Sequence, residues 1–428
     1  MDEPVMKFVH AADLHLDSPL RGLGRYEGAP VDQIRGATRR ALANLVSLCI
    51  DEHAELLLIA GDLYDDDWRD YSTGLFFAAQ MGELADAGVR VVWIRGNHDA
   101  ASKITKHLRL PPNVRELSHR RPETLRLEEL SVPVAVHGQG FASREVTEDL
   151  AASYPDPIRS LFNVGLLHTA LDGKLGHDPY APCRLDALVN KGYDYWALGH
   201  VHQRHVLHEE PWVVFPGNLQ GRHARETGPK GATLVNIEGE RVSAVEHRAL
   251  DDVRWEACAV DVAGARTPDD VLERIERALG LAQQRADGRL VAARVSVHGR
   301  TAAHAALGME LERWVQEVRG LALGARGAGV WVEKVEFATR AELDWDALRS
   351  QDDALGSLVR SLDSAASDDA ELARLGEELA ELRRKLPAEI ARGVEGLRLD
   401  EPGSLREIVR GVKDYLLPRL EQAEEEPS

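Results

Sequence analysis

The sequence predicts an α/β protein built on a mainly parallel sheet, followed by a small α+β domain and a helical C-terminal region. Three observations carry this. Residues 1–250 alternate short apolar runs with helical spacing, residues 251–340 repeat strand and helix on a smaller scale, and residues 341–428 hold only helical patterns. Three units also suit 428 residues at about 150 residues per domain.

Val5–Ala12, Glu55–Ala60 and Val89–Arg95 read as buried strands, rich in Val, Leu and Ile and closed by polar turns. Between the first two, Ile34, Ala37, Ala41, Leu45, Leu48 and Cys49 recur at helical spacing, and a second helix fits Ser72–Ala87. Strand–helix–strand order implies parallel strands joined by helical crossovers. Further strands are expected at Val132–Val136, Asn163–Leu167, Asp194–Leu198 and Trp212–Phe215, and a hairpin over Ala232–Glu246. In residues 251–340 the order is Trp255–Val262, a helix over Pro268–Ala282, Leu290–Val297, a helix over His304–Leu321, and Val330–Phe337. Thr267 can cap the first of these helices, with Pro268, Asp269 and Asp270 suited to its first turn. Beyond residue 341, Leu372, Leu375, Leu379, Leu382 and Leu386 form one apolar stripe ended by Pro387. Leu405, Ile408, Val409, Val412 and Leu416 form another. These stripes suit either packing within their own domain or docking on a partner helix.

Composition narrows the class. Apolar residues at 44% and charged residues at 29% describe a globular chain. Apolar runs stay near the length of Leu56–Ala60, far short of the ~20 residues of a membrane span, and Met6-Lys7-Phe8-Val9 already reads as a strand rather than a leader. Cys49, Cys183 and Cys258 are scattered, so a disulfide scaffold is not expected and a cytoplasmic setting fits. The balance of 52 basic to 71 acidic residues gives −19, which by itself argues against nucleic acid. Residues 341–428 hold 22 acidic and 12 basic residues, so −10 of that charge lies in the last zone. Divalent cations would offset charge at the place a polyanion must approach.

Each early strand is followed by metal-ligand types: Asp13-Leu14-His15, Gly61-Asp62, Gly96-Asn97-His98-Asp99, Leu167-His168 and Gly199-His200-Val201-His202. Loops at the carboxyl ends of parallel strands converge on one crevice. Asp13, His15, Asp62, Asn97, His168, His200 and His202 can therefore meet. Carboxylate, imidazole and amide oxygen without thiolate suit Mn²⁺, Fe²⁺, Zn²⁺ or Co²⁺. Seven ligands exceed the needs of one ion but suit two sharing a bridging Asp62, a pair that is typically ~3.5–4 Å apart and clamps a phosphoryl group. In an extended segment D-x-H and H-x-H place both side chains on one side, and the preceding glycines allow tight turns. His10, His53, His119, His247, His298 and His304 lack ligand company and read as structural or solvated. His137, His205, His208 and His223 lie near the motif loops.

This ordered set resembles the calcineurin-like metallophosphoesterases. Within them it is most similar to the DNA repair exonuclease branch (SbcD-like and YhaO-like nucleases that partner an SMC-type ATPase of the SbcC or YhaN kind). The stretch Pro216-Gly217-Asn218-Leu219-Gln220-Gly221-Arg222-His223-Ala224-Arg225-Glu226-Thr227-Gly228-Pro229-Lys230-Gly231 and the opening Ala11-Ala12-Asp13-Leu14-His15-Leu16-Asp17-Ser18-Pro19-Leu20 carry the resemblance over residues 1–250. It implies a sandwich of mixed sheets flanked by helices, an α+β capping domain at 251–340 and a partner-binding helical region at 341–428. It also implies a homodimer and two divalent ions of the Mn²⁺ type. One ion would be held by Asp13, His15, Asp62 and His202, the other by Asp62, Asn97, His168 and His200. His98 would act as general acid, with Asp99 orienting its imidazole. Arg222, His223, Arg225 and Lys230, beside the last metal loop, are candidate DNA phosphate contacts. One departure is Asp65, where some relatives have a histidine tied to exonuclease action; it leaves the balance of exonuclease to endonuclease open.

The expected function is a divalent-metal-dependent DNA nuclease acting at DNA ends. A metallophosphodiesterase or phosphatase for small phosphoesters or cyclic nucleotides is the alternative. Protein phosphatases continue the second motif with Asp-Arg-Gly and end the third in Glu, whereas these positions read Asp65-Asp66-Asp67 and Asp99. A non-catalytic scaffold is disfavoured by the complete ligand set.

Overall fold

The computed structural model describes residues 4–20, 28–65, 71–101, 109–173, 180–323, 329–342, 345–385, 398–399 and 401–425. The chain divides into two compact units. One comprises Met1–Ala257, Leu281–Arg294 and Ala325–Glu333, the other Cys258–Gly280, Val295–Gly324 and Lys334–Ser428.

Up to residue 249 the order is β1 (Val5–Ala11), α1 (Val31–Asp51), β2 (Leu56–Ile59), α2 (Tyr71–Asp86), β3 (Arg90–Trp93), α3 (Asn97–Ala101), β4 (Val114–Glu116), β5 (Glu123–Leu127), β6 (Val134–Gly138), β7 (Phe162–His168), α4 (Leu185–Val189), β8 (Tyr195–Gly199), β9 (His205–Glu209), β10 (Trp212–Phe215), β11 (Gly231–Glu238) and β12 (Arg241–Ala249). The strands form two six-stranded sheets, ordered β12-β11-β1-β2-β3-β4 and β5-β6-β7-β8-β10-β9. The parallel strands expected from strand–helix–strand order are present in both, as β1-β2-β3-β4 and β6-β7-β8-β10. They are split between two mixed sheets because β5 follows β4 without a helix and pairs antiparallel with β6, which starts the second sheet. Antiparallel β11 and β9 complete the mixture.

Period-two alternation then makes the layers. Leu57, Ile59, Val91 and Trp93 pack with Leu42, Leu45 and Cys49 of α1 and with Phe77 and Met81 of α2. Their neighbours Leu56, Leu58 and Val92 pack with Val134, Val136, Val164, Leu166 and Ala197 of the other sheet. The far face of that sheet, Leu167, Trp196, Leu198 and Phe215, is covered by Phe141, Tyr154 and Leu188. Central strands are buried on both faces, which is why they read as unbroken apolar runs.

A third sheet has the order β13 (Val253–Asp261), β14 (Leu290–Thr301), β15 (Val330–Ala341), with α5 (Pro268–Arg285), α6 (His304–Met309) and α7 (Leu311–Leu323) between its strands. Asp270 N–H donates to Thr267 Oγ1 (3.2 Å), the cap the sequence suggested, and Asp270 Oδ2 accepts from Thr267 N (3.0 Å), which makes the cap reciprocal. The single helix expected over His304–Leu321 is two, because Glu310 leaves helical geometry at φ −126°, ψ 42°. Among the described residues five helices follow: α8 (Trp345–Ser350), α9 (Ala354–Ser367), α10 (Asp369–Glu378), α11 (Ala380–Lys385) and α12 (Pro402–Glu425). Leu372 packs with Leu405 and Val409, joining the two stripes. Leu386 and Pro387 lie outside the described residues.

Candidate metal centre

The site is built where strands end. Asp13, His15, Asp62 and His200 have φ of 52°, 44°, 54° and 102°, a left-handed region that costs a non-glycine residue about 1–2 kcal/mol. Asp13 N donates to Gly61 O, His15 N to Asp62 O and Leu16 N to Leu63 O, each at 3.0 Å, so the loops after β1 and β2 run paired while their side chains turn inward. The extended D-x-H geometry is therefore not what aligns Asp13 and His15; backbone reversal does. Two of the three glycines also differ from expectation. A Cβ on Gly96 would lie 2.2 Å from Asp62 Oδ1, and one on Gly199 would lie 1.9 Å from Ala60 O. Close approach, rather than a turn, requires them; Gly61, at φ 93°, is the one with positive φ.

All seven candidate ligands converge. Donor atoms of Asp13, His15 and His202 lie within 4.8 Å of one another, as do those of Asp62, His168 and His200. His15 Nε2 is 3.3 Å from His202 Nε2 and 3.9 Å from Asp62 Oδ2. His168 Nε2 is 3.5 Å from Asp62 Oδ2 and 3.0 Å from Asn97 Oδ1, which brings the amide into the second group. Asp62 stands between the groups. The orientation is held from behind: His168 Nδ1 contacts Ala60 O at 2.8 Å, His200 N donates to Asp13 Oδ2 at 3.0 Å, and His98 N donates to Asp62 Oδ1 at 3.0 Å.

Electrostatics suit a cation. Burial, then the nearby Asp62, pushes the Asp13 carboxyl well above its ordinary range; burial raises Asp62 to about 6 against the pull of His98. Burial also lowers His15, His202 and His168, the last to about 3, so these imidazoles stay neutral with a free lone pair. Two buried carboxylates beside neutral imidazoles and an amide oxygen form a donor set that divalent ions fit.

His98 and Asp99 are placed differently from one another. His98 is partly open, with 23% side-chain exposure, and His15, Asp62 and His98 also bring donor atoms within 4.8 Å. Asp99 does not orient His98. Its carboxylate accepts from Leu63 N (3.1 Å), Tyr64 N (2.9 Å) and Gly96 N (3.0 Å), tying the loop after β2 to the loop after β3. Asp65 holds the position behind His98 instead, with Oδ1 3.1 Å from its Nδ1. Asp65 also accepts from Ser18 Oγ (2.6 Å) and lies 3.7 Å from His15 Nδ1 and 3.5 Å from Arg222 Nη1. Burial opposes ionisation of Asp65, but the neighbouring imidazoles of His15 and His98 and the Ser18 hydroxyl outweigh it and hold the carboxyl far below its usual range.

The loop after β10 closes the site. Glu226, buried, sits 2.6 Å from His202 Nδ1 and accepts from Arg222 N (2.7 Å) and Asn218 Nδ2 (3.0 Å). Arg222 is drawn in beside Asp65 and Glu226. Arg225 and His223 stay exposed on the rim, while Lys230 is buried and donates Nζ to His202 O at 2.8 Å, so it anchors the loop. His202, Arg222, His223, Arg225 and Lys230 all line a recess of about 430 Å³. Asp65 was read from the sequence only as a departure from relatives, and Glu226 only as part of the stretch 216–231, neither as a partner of a histidine. The available signals were an Asp run directly after buried Leu63-Tyr64, and a lone acid among the basic residues of 216–231.

Residues 6–204 match the calcineurin-like phosphoesterase family, and residues 255–340 match the middle domain of metallophosphoesterase YhaO. The uncharacterized metallophosphoesterase YhaO of Bacillus subtilis is 37% identical over 273 residues, covering 63% of this chain and 67% of that protein. The DNA double-strand break repair protein Mre11 of Methanopyrus kandleri is 30% identical over 304 residues, covering 64% of this chain and 63% of that protein. A solved Thermus thermophilus protein aligns with a TM-score of 0.33 at 14% identity, over 57% of this chain and 99% of that one. Family match, YhaO likeness and a strand-end crevice of carboxylates and imidazoles agree, and the chain belongs to the calcineurin-like metallophosphoesterases.

Proposed function

We propose that this chain is a two-metal DNA nuclease acting at DNA ends, with a 3′–5′ exonuclease activity. The observation that carries the reading is the pair of donor clusters meeting at Asp62, beside a recess walled by Arg222, His223 and Arg225. Asp13, His15, Asp62 and His202 would hold one ion, and Asp62, Asn97, His168 and His200 the other, with Mn²⁺ the preferred occupant. When bound, such ions supply Lewis acidity and an activated water. The chain supplies the rest. Arg222 and Arg225 would orient the phosphodiester from the recess side. His98, steadied through Nδ1 by Asp65, would protonate the departing 3′ oxygen through its other ring nitrogen. The named role of the Mre11 relatives in break repair favours DNA over a small ester. A homodimer and an SMC-type ATPase are the proposed partners. Leu382, Val412, Leu416 and Leu420, 37–52% exposed on α11 and α12, offer the ATPase an apolar face.

The test is a divalent-metal panel on end-labelled single- and double-stranded DNA, run beside a nitrophenyl phosphodiester, with metal analysis. Mn²⁺ should support nucleotide release from DNA ends at a stoichiometry near two per chain, falling sharply in Asp62→Ala. Ester hydrolysis without DNA cleavage would instead make this a small-phosphoester enzyme, and saturation at one Mn²⁺ would end the two-metal reading.

A further inference from the structure

The second compact unit holds a cavity of about 1060 Å³ that contains none of the candidate metal ligands. Separate elements bring cations to it: Arg300 from β14, Arg340 from β15, Arg349 from α8, and Arg410 and Lys413 from α12. Its lining carboxylates are Asp363 and Glu407. Asp363 already accepts from both Lys413 and Arg349, and Lys413 also lies over the Trp345 ring at 4.5 Å from its centroid. Among the described residues no carboxylate pairs with Arg300, Arg340 or Arg410. Three exposed guanidiniums thus line one cavity, although residues 341–428 carry a net charge of −10. Like charges brought together repel, and of the two lining carboxylates only Glu407 is left to set against the three.

An anion resolves this, and its class can be narrowed. Guanidinium forks match phosphate oxygens. Small-molecule sites are mostly apolar and of about 300–1,000 Å³. This cavity, at about 1060 Å³, lies at the upper end of that range, and exposed cationic arms stand in its wall beside Trp345, Leu362 and Val409. A positively charged groove that follows a backbone is the recognition mode of single nucleic-acid strands. We infer that the cavity is a groove for the phosphates of a single strand, gripped by Arg300, Arg340 and Arg410. The inference rests on the proposed DNA reading for its ligand and is independent of the metal centre.

The test uses the full-length, Mn²⁺-loaded protein and a fluorescent phosphorothioate oligonucleotide that resists cleavage, with anisotropy measured across a salt series. Replacing Arg300, Arg340 and Arg410 together by Ala should flatten the dependence of log affinity on log salt by about 2, at about 0.7 per lost phosphate contact. Affinity at low salt should drop at least tenfold, with hydrolysis of the nitrophenyl diester unchanged. The milder pair Arg340→Gln and Arg410→Gln, at exposed positions, should give about two thirds of the slope change, which guards against misfolding of the triple variant. Unchanged slope and affinity in both variants, with DNA still bound, overturn the groove and leave the nuclease reading standing. No oligonucleotide binding by the unsubstituted protein overturns both. Tight binding of polyglutamate in place of DNA overturns the groove in favour of an acidic protein partner.

Discussion

Asp65 stands behind His98 and Glu226 behind His202, and the two carboxylates support different kinds of group. His98 is assigned to proton donation, so loosening its ring should slow the step that needs a proton. His202 is assigned to metal binding, so loosening it should weaken the ion. Asp65→Asn is expected to reduce DNA cleavage about 10–100-fold with Mn²⁺ content near two per chain. The nitrophenyl diester, whose leaving group needs little protonation, should suffer far less. His98→Ala sets the scale, at about 10²–10⁴ on DNA. Glu226→Gln should weaken Mn²⁺ binding about 10–100-fold, slow both substrates alike, and recover in excess Mn²⁺. Steady-state kinetics on both substrates with metal titration separate these outcomes; an equal loss on both for Asp65→Asn, uncorrected by metal, would remove its role behind His98. The candidate ligands themselves were legible because each closes an apolar run and three follow a glycine. Asp65 and Glu226 were not, because each touches its histidine across 33 or 24 residues of intervening chain.

At the scale of elements, loops after β1, β2, β3 and β8 come close enough that side chains are excluded between them. Gly199 is the tightest case: its added Cβ would strike the Ala60 carbonyl, which is backbone and cannot swing away. Gly199→Ala should therefore cost about 1–3 kcal/mol and lower Mn²⁺ occupancy, since His200 follows directly. Gly82, inside α2 with no atom within 4 Å of an added Cβ, is the control; Gly82→Ala should stabilise by about 0.5–1 kcal/mol. Denaturant unfolding with metal analysis reads both, and a neutral Gly199→Ala would show that the loops can part without loss. The long central strands were visible in the sequence. Short β4, β5 and β9 were not, because their partly exposed, charged residues interrupt the apolar signal. Helices α8 and α9 were also missed. Trp345, Leu348, Leu355 and Val359 form a small cluster of their own; α8 is too short for a periodic signal, whereas Leu355, Leu358, Val359 and Leu362 of α9 do recur at helical spacing and were readable.

For the whole molecule, every proposed ligand lies between residues 13 and 202, and helices α8 to α12 contribute none among the described residues. β15 ends at Ala341, whereas a cut at residue 350 would strip the partners from Trp345 and Leu348. A chain ending at Glu342 should keep two Mn²⁺ and hydrolyse the nitrophenyl diester within about twofold of the full chain, while losing capture by the SMC-type ATPase. Pull-down with the ATPase beside ester kinetics checks this, and loss of ester hydrolysis in a folded truncation would tie the helices to catalysis. No helix among the described residues is long and apolar enough to cross a membrane.

The sequence by itself determined which candidate ligands the chain offers and in what order, and the buried strands that carry them. These are local properties: residue type, periodicity and capping act within a few positions. The tertiary structure alone decided that the parallel strands form two sheets, that left-handed turns aim Asp13 and His15, that Asp65 rather than Asp99 backs His98, and that Lys230 turns inward. Each depends on which distant loops meet, and the free energy of those meetings belongs to pairs of residues that no local pattern joins.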